Sequence, residues 1–511
     1  MMNKFQNAVN HVTQLRKYAM AAVKQMLRVQ RIELCVEPTV RKLMLGIHAD
    51  ESNRIDTRIL TRTAWKCNLQ KTGGSILDVM LMSGPIKIGQ NEVEKMPYYL
   101  AIAIVRLGRE CLGYNRYEEQ KVLHRSAAKA CTDLILIDEV QIDVEVCTQP
   151  KSAVEKAALG VWIYRKMRSE KNCIAMPTIR LRSHIIKNEI CDKETRLRGL
   201  QKAAAQNLPQ QQKKILQNIV TPKEFAQHVV EYLWKSAIIG EIKFDSRAES
   251  QLMNAFILVD KTSYESQDFL VLSYYGKLAE KNPKVLFGKG IKYDRNDLFP
   301  KTFEKLCWMR VDMTGAVMNT ATREALAALR LLINITGLVS QSENFIGHNS
   351  FRFANAINYN KSNRDANHQD VSLIAGTHLY AKNSWPKFVV NVCTPSEAAC
   401  DAFRNSETLS HQIIHTSMHT GGKVRRLPLW NYYKKQVNNG MSDDVQNYWI
   451  NSCVRICNAA AFFKNSITYD QWMRLDATNV VFKDGKSFEY LRSIITERPA
   501  HSLCEIITQA V

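Results

Sequence analysis

The chain has 511 residues, 45% hydrophobic and 23% charged, with 21 Gly and 13 Pro. Its length predicts roughly two to four structural units, and its apolar share excludes a disordered or fibrous chain. No uncharged apolar run approaches ~18 residues, so the sequence reads as a soluble globular protein without a transmembrane segment. The polar start reads as an amphipathic helix, not a cleaved leader.

Charge says more. Lys and Arg number 70 against 49 Asp and Glu, a net of +21 with a pI near 9.4. Such an excess points to polyanionic partners, nucleic acid or an anionic surface. Thirteen cysteines, with no Cys-x-x-Cys among them, read as small buried hydrophobes in a reducing compartment.

In chain order, the first ~125 residues read as helices. Phe5, Ala8, Val12, Leu15 and Ala19 recur at helical spacing, and Val40–Ile47 and Tyr98–Cys111 continue the pattern. Leu134–Val146 alternates over its second half and is acidic, predicting a strand or hairpin arm. Residues 151–214 reverse the sign, with 15 Lys/Arg against five Asp/Glu. Two helices frame that segment: Ser152–Arg168, with Val154, Ala158 and Val161 inward, and Glu194–Ala205. The basic run is either a solvated helix face or a phosphate-contacting surface. Short apolar runs follow at Asn254–Val259 and Asp268–Leu272, then a long helix over Asp312–Ile335. Leu338–Gly422 reads as irregular, with a strand-like Phe388–Cys393. Helix resumes at Asp443–Asn458, and Val480–Tyr490 is hairpin-like.

Chemical motifs are sparse. Lys71-Thr72-Gly73-Gly74 and Gly288-Lys289-Gly290 lack the spacing of a phosphate-cradling loop and read as ordinary turns. His411, His415 and His419 fall on one face if their segment is helical. Gln412 stands where a zinc-peptidase motif of this kind needs its general base, so designed metal catalysis is not expected. No nucleophile elbow occurs. Gly421–Trp430 offers two arginines with Leu427, Leu429 and Trp430 as apolar anchors. It is either an interaction loop or a basic loop tucked onto its own domain.

Val40–Arg54 with the Lys71–Gly74 loop, the Ala153–Arg168 helix and Ser236–Gly240 come in a suggestive order. Trp308-Met309, Leu329–Gly337, Val424–Leu429 and Val480–Tyr490 complete it. The series resembles the nucleoprotein of orthomyxoviruses, the influenza-like negative-strand RNA viruses, in a divergent form.

That resemblance implies a mainly α, two-lobed head-and-body fold with a few short strands and an extended tail loop. Its parts would be 1–123 body, 124–240 head, 241–405 body, 406–434 tail loop, 435–460 head and 461–511 body. It implies a non-catalytic protein without cofactor or metal that encapsidates single-stranded RNA in a basic groove, independently of sequence. RNA contacts would carry over to Lys42, Arg125, Arg165, Arg168, Arg196 and Arg352. Charge and helix spacing add Lys129, Lys166, Arg198 and Lys202. Self-assembly would run through Arg425 or Arg426 with Leu427, Pro428 and Leu429. The pocket carboxylate falls at Ala327, which leaves Glu324 one turn upstream as its stand-in. Expected partners are viral RNA, further copies of the chain, the viral RNA polymerase and a host nuclear import receptor, with no membrane. Expected locations are virion and host nucleus. Two other readings stand beside this one: a basic matrix-like assembly protein binding membrane or partner proteins, and a metal-dependent RNA-processing enzyme.

Overall fold

In the computed structural model of the protein, the described residues are 41–48, 79–86, 99–108, 128, 131, 141–145, 150–162, 178–182, 189–213, 221–243, 268–294, 312–344, 356–359, 362–365, 369–394, 401–404, 407–420, 422, 424–438, 455–465, 467, 469, 471–477 and 499–509. They form β-sheets covered by helices, not a mainly helical head and body. The first sheet holds β1 (Arg41–His48), β2 (Val79–Ile86), β3 (Tyr99–Gly108), β4 (Gln141–Glu145) and β5 (Thr178–Arg182) in the order β2-β3-β1-β4-β5. Only the β2–β3 pairing is antiparallel. Where the residues expected as helices at 40–47 and 98–111 are described, Arg41–His48 and Tyr99–Gly108, they are therefore strands. A short unbroken apolar run such as Leu100–Val105 satisfies a helical and a strand period alike. Here β3 gains ladder bonds on both edges, from β1 and β2. β4 falls within the expected strand segment, but it pairs parallel with both neighbours and is no hairpin arm.

Helix α1 (Pro150–Val161) buries Val154, Ala158 and Val161, as its spacing predicts, and packs on α2 (Glu189–Lys213). The basic segment is in part an interior one. Lys156 is buried with Glu155 at 2.7 Å, and Lys202 is buried against Glu505 near the chain's end.

The second sheet has eight strands: β6 (Ile239–Lys243), β7 (Asp268–Tyr275), β8 (Lys284–Asp294), β9 (Asn334–Asn344), β12 (Phe388–Cys393), β13 (Asp401–Arg404), β14 (Arg425–Arg426) and β15 (Trp472–Asp476). Their order is β14-β13-β15-β12-β8-β9-β7-β6. β10 (Ala356–Tyr359) and β11 (Ser362–Asp365) form a separate antiparallel pair. The core run β15-β12-β8-β9 is parallel. Parallel strands are covered on both faces and so read as continuous apolar runs. Phe269, Val271, Val285, Phe287, Val389 and Trp472 face α5 (Gln369–Lys382), α7 (Asn431–Asn438) and α8 (Arg455–Lys464). The alternate residues Leu270, Leu272, Leu286, Val390 and Met473 face α3 (Pro222–Trp234), α4 (Thr314–Ala328), α6 (Glu407–Thr420) and α9 (Pro499–Gln509).

Three expectations change here. The helix expected over Asp312–Ile335 stops at Ala328: Arg330 turns left-handed, at φ 52°, and the chain enters β9. The stretch 338–422 is regular over much of its length, carrying α5, β12 and α6. The tail loop at 406–434 is α6, then β14 paired with β13, then the start of α7. Of the helix expected at 443–458, Arg455–Asn458 lies in α8 and the rest lies outside the described residues. The expectations for 5–19, 71–74, 254–259 and 480–490 lie outside the described residues.

One close approach sets the position of α4 against the sheet. A Cβ on Gly288 would stand 2.2 Å from the Gly315 carbonyl oxygen, so two glycines let the start of α4 touch the backbone of β8. Gly288→Ala is expected to cost about 1–3 kcal/mol through overpacking, read as a lower urea midpoint at unchanged m-value. An unaltered midpoint would show that the helix can back away.

Candidate functional site

The parallel strands β12 and β15 end together, beside the middle of β8. Their register puts Val392 beside Gly288, Asn391 beside Arg474 and Cys393 beside Asp476. Ligands in open α/β sheets bind outside such carboxyl ends. The close Gly288–Gly315 contact brings Asp312, just ahead of α4, to the Lys289 ammonium at 3.6 Å. Thr394 donates a hydrogen bond to the Asp312 carboxylate at 2.9 Å. On β15 the Arg474 guanidinium pairs with Asp476 at 3.3 Å, and its Nε donates to the Cys393 sulfur at 3.3 Å.

This is a buried charged centre. Lys289, Arg474 and Asp476 have no exposed side-chain surface, whereas Asp312 retains 14%. Burial pushes the Cys393 thiol up to about 11, so it stays protonated at neutral pH. Next to it, His378 of α5 stacks on Phe287 at 5.2 Å and hydrogen-bonds Tyr469 through Nδ1. Burial, then the nearby Arg474 charge, pushes its imidazole down to about 3, so it is neutral. The centre can offer a carboxylate to a cation at its more open side, flanked by a hydroxyl and two buried positive charges.

The residues singled out from sequence are placed elsewhere. Lys42 is on β1 and Arg196 on α2, and Arg198 is an exposed residue of α2. Lys202 is buried on Glu505. Arg125, Lys129, Arg165, Lys166, Arg168 and Arg352 lie outside the described residues. Arg425 and Arg426 form β14, and Arg426 pairs with Glu407 of the same chain at 2.5 Å. Leu427 and Leu429 pack on the chain's own core, with Pro428 half-buried between them. Glu324 is buried on α4, where the Tyr232 hydroxyl donates to it at 2.7 Å. Burial pushes its carboxyl up to about 7, so it sits in a core contact between α3 and α4. His415 and His419 do share a face of α6, with rings 4.5 Å apart. The sequence reading missed Lys289, treating its Gly-Lys-Gly as a turn. A signal was present: the lysine follows Val285-Leu286-Phe287, a run with the character of a buried strand.

A family model described as the cytosol aminopeptidase family, catalytic domain, matches residues 208–504. The chain belongs to that family. The cytosol aminopeptidase of Bos taurus is 28% identical over 493 residues, covering 91% of this chain and 92% of its own. That of Xenopus tropicalis is 29% identical over 464 residues, 84% and 86% of the two chains. Among solved structures, the bottromycin maturation enzyme BotP in complex with Mn superposes with a TM-score of 0.74 at 16% identity, covering 92% and 99%. The cytosol aminopeptidase of Coxiella burnetii gives 0.72 at 16% identity, covering 93% and 98%.

Membership of the cytosol aminopeptidase family overturns the nucleoprotein resemblance and the fold and function that it implied. Encapsidation, RNA and polymerase partners, an import receptor, virion and nuclear locations, and the absence of catalysis fall with it. So do the matrix-like and RNA-processing alternatives. The short matches were each a handful of common residues, whereas this relationship runs through nearly the whole chain.

A metal ion would need several converging donor side chains. Among the described residues, no group of three or more His, Cys, Asp or Glu side chains could hold one. The two carboxylates of the centre, Asp312 and Asp476, already face the chain's own cations. The described residues do not fit the ion.

Proposed function

We propose that the chain is an aminopeptidase that acts on the free N-terminal residue of peptides, in the cytosol, at the ends of β12 and β15 beside β8. One observation carries this reading: the catalytic-domain match at 208–504 contains every element of the charged centre. A free α-amino group is a cation, and Asp312 is the more exposed of the two carboxylates. It would accept the ammonium, with Thr394 fixing the carboxylate's orientation. The cytosolic placement draws support from relatives named cytosol aminopeptidase.

The test compares one short peptide with its N-acetylated twin by mass spectrometry, in buffers with and without Mn²⁺. Only the free peptide should lose its first residue. Asp312→Asn should lower kcat/KM about 10- to 150-fold, the worth of one charge-assisted hydrogen bond. Equal cleavage of both peptides, or none of either, would overturn the reading.

A further inference from the structure

We propose that the end of the second sheet opposite the charged centre is a docking face for an anionic lipid bilayer, entered by Trp385, Leu332, Leu278 and Tyr275 within a ring of lysines. This goes beyond the peptidase reading and does not depend on it.

Strands β8, β9 and β12 begin side by side, at Lys284, Asn334 and Phe388, and antiparallel β7 ends there at Tyr275. Five of the seven large apolar side chains exposed among the described residues stand at this end: Trp234, Tyr275, Leu278, Leu332 and Trp385. Leu332 is 66% exposed and Trp385 79%. Single exposed apolar residues are ordinary, but a group on one face marks a contact surface. The turns that carry them are fixed in place. The Gly276 N–H donates to the Ile333 carbonyl at 2.8 Å, and the Lys387 N–H to that of Pro283 at 3.0 Å. Buried Asn334 accepts from the Lys277 N–H at 3.0 Å and donates to the Lys277 and Glu280 carbonyls at 2.7 and 2.6 Å. Trp385 itself has φ 48°, a left-handed conformation that glycine usually supplies after a helix. A bulky side chain is thus held in solvent against its backbone preference.

Charge selects the occupant. The connections 234–238, 275–283, 329–333 and 382–387 hold six exposed cations, Lys235, Lys277, Lys281, Arg330, Lys382 and Lys387, and one carboxylate, Glu280. Glu280 already faces Lys284 at 3.8 Å and Lys387 at 3.7 Å. A second copy docked by two-fold symmetry would set these cations against themselves. An anionic bilayer matches both features. Trp and Tyr sit at its headgroup level, and each nearby Lys or Arg adds about fivefold in affinity. Docked in this way, the chain turns the ends of β12 and β15 toward the water.

The experiment sediments the full chain with vesicles of phosphatidylcholine alone or with one-third phosphatidylserine, and follows tryptophan emission. Expected are binding to the phosphatidylserine vesicles only, lost at high salt, and a shift of emission to shorter wavelength. Trp385→Gly relieves the left-handed strain and should not lower the melting temperature. It is expected to weaken vesicle binding about tenfold. Lys277→Gln with Lys281→Gln tests the charge separately and should weaken binding about 25-fold. Equal binding to both vesicles, no binding, or binding unchanged in either variant would overturn the proposal. So would self-association, or retention on polyglutamate, that Trp385→Gly reverses while vesicles go unbound, because the face would then take a second copy or an acidic protein. Peptide cleavage does not enter these readouts, so failure of either claim leaves the other standing.

Discussion

Arg474→Met should destabilise the protein by about 3–5 kcal/mol, among the largest losses any single substitution in the sheet can produce. The guanidinium is buried without exposed surface, pairs with Asp476, donates to Cys393 and lies over the Phe463 ring at 4.8 Å. Removing it takes a buried cation from beside the Asp476 carboxylate, and breaking a buried pair from one side costs far more than the pair contributes. Adding Asp476→Leu should therefore recover most of the loss, because an apolar pair of similar bulk often does as well as a buried ion pair. Urea denaturation of both single variants and the double variant closes the cycle. A double variant no better than Arg474→Met would mean that the arginine acts by packing alone.

Glu505→Gln should cost a comparable amount, about 3–5 kcal/mol, for the opposite reason. Glu505 of α9 holds Lys151 of α1 at 3.0 Å and also pairs with Lys202 of α2, tying the end of the described chain to its earlier helices. Burial pushes its carboxyl up, but the ammoniums of Lys202 and Lys151 together outweigh burial and bring it down to about 2 from the usual 4.5. A folded-state value below the unfolded one means stability that is complete above pH ~4.5 and lost as the pH falls toward 2. The drop corresponds to about 3 kcal/mol. Burial first, then Lys202, pushes Lys151 down to about 8, which offsets part of that gain at neutral pH. Acid titration of wild type and Glu505→Gln at constant ionic strength reads the difference: the variant's stability should fall less between pH 4.5 and 2. Parallel curves would remove Glu505 from the acid response.

Some of this was legible in the sequence. The inward face of α1, the strand β12, and the buried character of Cys131, Cys393, Cys457 and Cys504 followed from spacing and composition. β1 and β3 did not, because their short apolar runs carry no period that separates helix from strand, and pairing partners far away in the chain decide between them. The charge excess misled as well. Lys156 and Lys202 look like surface charges when counted, and only the fold shows their carboxylate partners, one of them 303 residues away. The centre was the least legible part. Lys289, Asp312, Arg474 and Asp476 share no motif in the chain, and strand register is what makes them a site.

That register also bears on the order of folding. β12 sits between β8 and β15, so its two neighbours come from opposite directions along the chain and each needs a long loop to close before any ladder bond forms. Topologies of this kind fold slowly. Lys289 and Asp312 can meet once β8 and α4 have docked, but Arg474 reaches Cys393 only when the last strand is laid beside β12. An intermediate with β8, α4 and β12 in place would thus hold one ion pair and an open sheet edge, a surface on which other strands can pair until β15 arrives. Slow refolding with losses that grow with protein concentration is the kinetic signature of such an arrangement.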